Sequence, residues 1–346
     1  MSATKHAAVL LPEVLAALNL RASGVYLDAT FGRGGHAGAM LEKLSAEGRL
    51  LCLDRDPRAI AEARSRFGDD PRVRIFHAPF SRLAAAADAV APGLELDGIL
   101  LDVGVSSPQL DDPERGFSFM HDGPLDMRMN EGEGASAADV LNRAPEAELT
   151  RIFREYGEER FAGRIARAIV ADRATRPFTR TFELAGLVER VSRAASGRGR
   201  GGGGGRGGGG GRGGRGGAGG RGGRDGERHK HPATRVFQAL RIHVNRELEE
   251  LEAALEAART RLAPHGRLAV ISFHSLEDRL VKQFMRRHAS VDPVYAGLPV
   301  IPDAARPTLE LIGKSIEPGD EEIARNPRAR SARLRVAGRL PREAAA

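Results

Sequence analysis

At 346 residues, with 41% hydrophobic and 29% charged side chains, the chain has apolar material for one large or two ordinary packed domains, which makes it a globular protein. A single cysteine, Cys52, excludes an internal disulfide framework, and its neighbours Leu51 and Leu53 point to a buried thiol in a reducing, cytoplasmic compartment. The formal charge of +7 says little about the folded part, because residues 197–226 alone hold seven arginines against one aspartate, a local excess of +6.

Residues 7–20 are apolar but broken by Pro12 and Glu13. They are too short to span a bilayer and poor as a signal peptide, so a core-packing helix is expected and no membrane partner. Apolar runs at 24–29, 49–53 and 97–103 read as strands of a parallel sheet. Asp56 and Pro57 open a helix between two of them that breaks near Gly68 and Pro71. Such alternation signals βαβ units. From Ser136, at capping-box spacing from Asp139, the pattern turns helical, with stretches at 149–155, 158–174 and 182–191 and no evident strand. Residues 197–226 hold 21 of the 43 glycines and nothing apolar larger than Ala218, so they are expected to form a disordered surface loop, one whose composition also suits RNA binding. One long amphipathic helix then carries Val236, Leu240, Val244, Leu248, Leu251 and Leu255 on a single face, closed by Pro264 and Gly266, and strand character returns at 267–272.

Asp28-Ala-Thr-Phe-Gly32-Arg-Gly34-Gly35-His36-Ala-Gly38 follows the first strand and opens a helix, where glycines let the backbone approach a nucleotide-like cofactor. Asp54 ends the second strand twenty residues after Gly34, where a carboxylate suits ribose hydroxyls. The glycine spacing also resembles a relaxed dinucleotide fingerprint. Two acids favour S-adenosylmethionine instead: Asp28 at the first strand's tip suits an ammonium group and would repel a pyrophosphate, and Asp102 ends a later strand where reacting groups gather.

Segments at 6–11, 30–36, 54–57, 115–119 and 231–241, with Leu101-Asp-Val-Gly-Val-Ser-Ser-Pro-Gln109, Gly123-Pro-Leu-Asp-Met-Arg-Met129 and Ile271-Ser-Phe-His-Ser-Leu-Glu-Asp-Arg279, carry a family resemblance. Outside the glycine tract, nearly the whole chain resembles the bacterial small-subunit (16S) ribosomal RNA cytosine-N4 methyltransferases. The resemblance implies an α/β fold: a Rossmann-like class I methyltransferase sheet domain, built from 1–110 and 232–346, with an inserted all-helical domain at 111–231 for substrate recognition. It implies S-adenosyl-L-methionine as cofactor, held by Gly34, Gly35, His36, Asp54, Phe80, Asp102 and Gln109, and a cytidine of the decoding region as methyl acceptor. No metal is expected.

Cytosine's amine is a weak nucleophile, so the enzyme must align it with the donor methyl and accept its hydrogen bond. Many amino-methyltransferases place an acid or amide, two prolines and an aromatic residue here. This chain has Asp102-Val-Gly-Val-Ser106-Ser-Pro-Gln109, which leaves the acceptor open between Asp102, Ser106 and a backbone carbonyl. His274 reads either as a contact to the base or as a hydrogen-bonded structural histidine. Asp126 and Arg128 read as RNA contacts or an internal salt bridge. Arg235 and Arg241, the run 228–231, Arg286-Arg287-His288 and the basic tail beyond Arg325 are phosphate candidates, as are Arg160, Arg164, Arg167, Arg173, Arg176 and Arg180 of the insertion. A DNA amino-methyltransferase and a non-catalytic RNA-binding protein acting through the arginine–glycine tract are the competing readings. The small-subunit RNA or particle is the expected partner, and dimerisation is left open.

Overall fold

The computed structural model of the chain describes residues 8–197, 231–295 and 297–341. Residues 6–7 of the first family segment, 198–226 of the tract and 228–230 of the basic run lie outside them. The described residues form two compact units, one made of the chain up to Ser107 and from Arg246 onward, the other of Pro108–Asn245.

The first unit is a seven-stranded sheet in the order β3-β2-β1-β4-β5-β7-β6. Its strands are β1 (Val25–Asp28), β2 (Arg49–Asp54), β3 (Val73–His77), β4 (Leu96–Asp102), β5 (Leu262–Ser272), β6 (Leu309–Leu311) and β7 (Arg333–Arg339). Strands β1 to β5 run parallel, while β7 lies antiparallel to β5 and to β6. The helices are α1 (Leu11–Leu18), α2 (Gly35–Leu41), α3 (Pro57–Phe67), α4 (Leu83–Val90), α11 (Glu247–Arg261), α12 (Ser275–His288) and α13 (Asp320–Arg325). Because side chains alternate along a strand, the sheet builds two cores. Tyr26, Leu50, Cys52, Leu100 and Ile271 pack with Leu10, Val14 and Leu18 on one face, and Leu27, Leu51, Leu53, Leu101 and Val270 with Leu251, Leu255 and Val281 on the other. Cys52 is fully enclosed and burial pushes its thiol well up, so it is an inert packing group, as its neighbours in sequence foretold.

Strand β3 at one edge of the sheet, and β7 and β6 toward the other, escaped the sequence reading. β3 is short and mixes apolar Val73, Ile75 and Phe76 with Arg74 and His77, only Val73 being buried, and β7 alternates Arg333, Arg335 and Arg339 with apolar partners, which in sequence looks like a basic tail. The tail from Arg333 is instead a strand hydrogen-bonded between β5 and β6.

The second unit is helical: α5 (Ser107–Asp111) at its start, then α6 (Ala137–Arg143), α7 (Glu146–Glu155), α8 (Ala162–Arg173), α9 (Thr181–Gly197) and α10 (Ala233–Asn245). Among its described residues extended pairing is limited to the bridge Pro124–Arg180. The capping box forms as expected, Ser136 Oγ accepting from the Asp139 amide at 3.1 Å and Asp139 Oδ2 from the Ser136 amide at 3.1 Å. The single long helix expected through residues 236–255 does not form. Arg246 sits at φ +52° and separates α10 from α11, with Asn245 and Glu247 buried. The break shifts the helical phase: Ile242 and Glu247 turn inward, while Val244 and Leu248 are only half-buried. Asn245 supplies the cause, since its amide donates to the Met127 carbonyl at 2.7 Å and accepts from the Met129 amide at 2.8 Å, tying the helix end to a loop 116 residues away. Helix α10 therefore belongs to the helical unit, whereas the sequence reading placed residues 232–245 in the sheet domain.

Candidate active site at the carboxyl edge of the sheet

The parallel strands β1, β2, β4 and β5 end on one edge, and the expected cofactor residues of the sheet unit gather there. After β1 the chain turns through Gly32 at φ +54° and Gly34 at φ +67°, the latter capping α2. A Cβ on Gly34 would come within 2.4 Å of the Phe31 ring, so both conformation and space require glycine. Asp54 locks this turn: Oδ2 accepts from the Gly32 amide and Oδ1 from the Asp56 amide, each at 2.8 Å. A carboxylate has lone pairs beyond these two bonds, so the ribose role stays open to it. Thr30 bridges to the neighbouring strand, its Oγ1 accepting from the Asp102 amide at 2.7 Å. Ser106 Cβ stands 4.0 Å from the position of a Cβ on Gly32, which puts Ser106 over the turn. Phe80 begins the turn after β3 and packs, half-buried, against the core of the sheet.

The electrostatics are those of acids short of counter-charge. Burial raises Asp28 and Asp54 to about 6 each, and burial together with the Glu277 charge raises Asp102 to about 7. Asp28 Oδ2 and Asp102 Oδ1 are buried without a hydrogen-bond partner. Such orphans are costly unless a ligand meets them. His36 Nε2 donates to the Val9 carbonyl at 2.9 Å, which leaves its Nδ1 lone pair toward Asp102 Oδ2 at 3.6 Å, and burial lowers its basicity.

His274 is placed as a cap. Its Nδ1 accepts from the Glu277 amide at 3.3 Å at the head of α12, and Glu277 Oε2 accepts in return from the Phe273 and His274 amides at 2.8 and 3.3 Å. Of the two readings that the sequence left open, the cap fills the structural one. Glu247, His274 and Glu277 bring ligand-type atoms within 4.8 Å of one another. Because Nδ1 accepts, the ring proton lies on Nε2, 3.1 Å from Glu277 Oε1, and that nitrogen has no lone pair for an ion while the cap stands.

Gln109, Asp126, Arg128, Arg235 and Arg241 belong to the helical unit. Gln109 is buried. Asp126 and Arg128 form an internal bidentate salt bridge, Nε to Oδ1 at 3.0 Å and Nη2 to Oδ2 at 2.7 Å, around Met127 at φ +63°. Their first duty is to shape the loop 123–129 rather than to present free charge. Arg115, which the sequence reading did not single out, is buried and donates to the Met129 carbonyl at 2.8 Å, and with Asn245 it fixes that loop. Arg235 is exposed and donates to the Glu158 carbonyl at 3.2 Å, and Arg241 is half-buried on α10. Of the six insertion arginines named as phosphate candidates four are engaged: Arg167 with Glu146, Arg176 with Glu183, Arg180 with Asp122, and Arg173 with the carbonyls of Leu141 and Ala144. Arg160 and Arg164 lie over the Phe161 ring at 4.3 and 5.8 Å.

Sheet order, the left-handed glycine turn and acids on successive strand ends define a Rossmann-like class I methyltransferase sheet. The chain belongs to the MraW methylase family, whose model matches residues 3–340. A ribosomal RNA small subunit methyltransferase H of Thioalkalivibrio sulfidiphilus is 52% identical over 339 residues, covering 98% of each chain. One of the same name from Idiomarina loihiensis is 50% identical over 339 residues, covering 97% of each. Among solved structures, an rRNA methylase of Streptococcus thermophilus aligns over 99% of both chains at 10% identity, with a TM-score of 0.37.

Proposed function

We propose that this chain transfers a methyl group from S-adenosylmethionine to the N4 amine of a cytidine in the decoding region of small-subunit ribosomal RNA, in the cytoplasm. Relatives named as small-subunit RNA methyltransferases at about half identity over the full length support the substrate class. The observation that carries the chemistry is the pair of orphaned carboxylate oxygens, Asp28 Oδ2 and Asp102 Oδ1, beside the glycine turn. They fit a ligand with cationic ammonium and sulfonium groups and would repel a pyrophosphate. When bound, the cofactor supplies a methyl group activated by a positive sulfur.

The chain's own work is positioning and proton acceptance. Backbone groups at Gly34 and Gly35 meet the methionine moiety, Asp54 the ribose, and the half-buried Phe80 ring the adenine. The attacking nitrogen gains a bond to carbon and must release a proton. We assign its acceptor to Asp102, which at about 7 is poised near operating pH. The helical unit, whose loop 123–129 is pinned by Arg115 and Asn245, is given the task of recognising the RNA. Among the described residues no helix is long and apolar enough to cross a membrane.

The test uses small subunits from cells lacking this protein, purified chain and isotope-labelled S-adenosylmethionine, followed by mass spectrometry of the RNA nucleosides. Labelled N4-methylcytidine at one position is the expected result. Label in added DNA and none in ribosomal RNA would overturn the substrate, and calorimetry showing affinity for nicotinamide dinucleotides alone would overturn the cofactor.

A further inference from the structure

The sheet unit has a second feature that methyl transfer does not use. A groove of about 360 Å³ lies between α12 and the strands β6 and β7, with Lys282 and Arg286 on the helix side, Lys314 in the loop after β6, and Arg333 and Arg335 on β7. Two carboxylates answer these five cations. Asp278 takes Arg335 at 2.7 and 3.1 Å, fastening α12 to the strand, and Glu317 takes Arg333 at 2.7 Å. Among the described residues Lys282, Arg286 and Lys314 enter no ion pair, so the groove keeps an excess of about three positive charges, the separation at which partly screened charges still reinforce one another being about 8–10 Å. Met285 of α12 is buried at its floor, and Leu311 of β6 lines it with 49% exposure.

Strand register places this groove. Arg333 pairs with Ser272 and Arg335 with Val270, while Asp102 pairs with Ile271 on the other side of β5. Antiparallel β7 therefore begins at the edge where the parallel strands end, which puts Arg333, at one end of the groove, level with Ser272 at that edge.

We infer that this groove holds the phosphodiester backbone of the RNA strand on one side of the target cytidine. The inference rests on the reading that RNA is the substrate. Three observations favour a single strand over an acidic protein surface. The cations are lysines and arginines on separate elements around a channel, which suits a chain of phosphates. The guanidinium planes and the exposed Leu311 side chain of the same groove suit the splayed bases of an unpaired strand. One end of the groove, at Arg333, also lies level with the edge at which the base must arrive. The fixed Arg335–Asp278 and Arg333–Glu317 pairs act as walls, and Lys282, Arg286 and Lys314 act as the phosphate contacts.

The test is a Lys282→Ala, Arg286→Ala, Lys314→Ala triple variant of the full chain, which leaves every ion pair of the groove intact. Parent and variant share the arginine–glycine tract, so the difference between them reads the groove. Binding of a labelled single-stranded RNA oligonucleotide of decoding-region sequence is followed by fluorescence anisotropy across salt concentrations. The expected result is a 10- to 100-fold rise in Kd and a fall of about 2 in the slope of log K against log salt, three contacts at roughly 0.7 each. Affinity for S-adenosylmethionine, measured by calorimetry, stays unchanged. Equal Kd and slope in parent and variant would overturn the inference, as would polyglutamate competing as well as RNA at equal charge. Failure of the substrate reading looks different: parent protein that binds this RNA through the groove yet places no methyl group on ribosomal RNA.

Discussion

A methyl group added at Gly34 would have to displace the Phe31 ring, which is itself buried edge-on against Phe67 at 6.0 Å, while holding φ at +67°. Gly34→Ala should destabilise the protein by roughly 2–3 kcal/mol and weaken S-adenosylmethionine at least tenfold. Gly38→Ala is the control, because its nearest neighbours stand at 3.6 Å and its backbone is helical. It should be neutral within about 1 kcal/mol. Urea unfolding and calorimetry read both, and equal losses in the two variants would remove the special demand placed on Gly34. Asp102 makes a second residue-scale prediction. A carboxyl raised to about 7 is protonated below that pH and cannot accept the amine's hydrogen bond, so kcat/KM should climb with pH and level off above 7. Asp102→Asn should cost about 100-fold or more in kcat and flatten the profile over pH 5.5–8. A parent-like profile in the variant would move the acceptor elsewhere. Local spacing already exposed Gly34, Asp54 and Asp102, since a glycine turn and strand-end acids occupy fixed offsets along the chain. The Asp54 clamp on Gly32 and the Thr30 bond to the Asp102 amide were not legible, because each joins neighbouring strands whose register only the folded sheet sets.

At the scale of elements, the junction of α10 and α11 is the clearest disagreement between pattern and fold. The apolar face through residues 236–255 keeps helical period, and nothing in it marks a stop; the stop comes from Asn245, whose buried amide satisfies Met127 and Met129. Asn245→Ala leaves a buried carbonyl and a buried amide unmatched and should cost about 2–4 kcal/mol in urea unfolding. Arg246→Gly keeps those bonds and relieves a left-handed residue at φ +52°, so it should be neutral or stabilising by up to about 1 kcal/mol. If Asn245→Ala instead cost less than about 0.5 kcal/mol, the break would need another cause. β7 was missed for a related reason. Arg333, Arg335 and Arg339 read as charge along the sequence, and only pairing with β5 and β6 turns their alternation into a strand with a cationic face. Short helices with side-chain caps were legible to within a few residues: α6 begins at its Ser136 box and α3 at Asp56, whose Oδ1 accepts from the Arg58 amide at 2.9 Å.

For the whole molecule, the crowd of acids at the sheet's edge trades stability against pH. Asp28 and Asp54 at about 6 and Asp102 at about 7 all sit above their unfolded values near 3.8, so between roughly pH 4 and 7 the folded protein binds more protons than the unfolded chain. Stability from these groups is full below about pH 4 and is lost as pH rises through 6 and 7. The lowered carboxyls, among them Asp70 beside Arg72 and Asp122 beside Arg180, act in the opposite sense below pH 4, and the lowered histidines His36 and His288 do so as pH falls through 6.5, two groups against the three acids. Ligand-free protein should therefore unfold at lower temperature at pH 8 than at pH 5.5, and the gain on adding saturating S-adenosylmethionine should be larger at pH 8, where the acids are charged. S-adenosylhomocysteine, which lacks the sulfonium charge, should show a smaller difference between the two pH values. Thermal scans with each ligand check this, and equal gains at both pH values would detach the acids from the cofactor's charge.

Sequence alone determined the α/β class, the helical character of the insertion, the burial of Cys52, and the glycine turn with its acids, because each follows from residue types at short, fixed spacing. Tertiary structure decided where the long apolar face breaks, that His274 caps a helix, that Asp126 and Arg128 bind each other, and that the basic tail is a strand lining a groove. Those outcomes depend on partners dozens to hundreds of residues distant, and no local pattern records which of two chemically acceptable partners the folded chain brings within hydrogen-bonding reach.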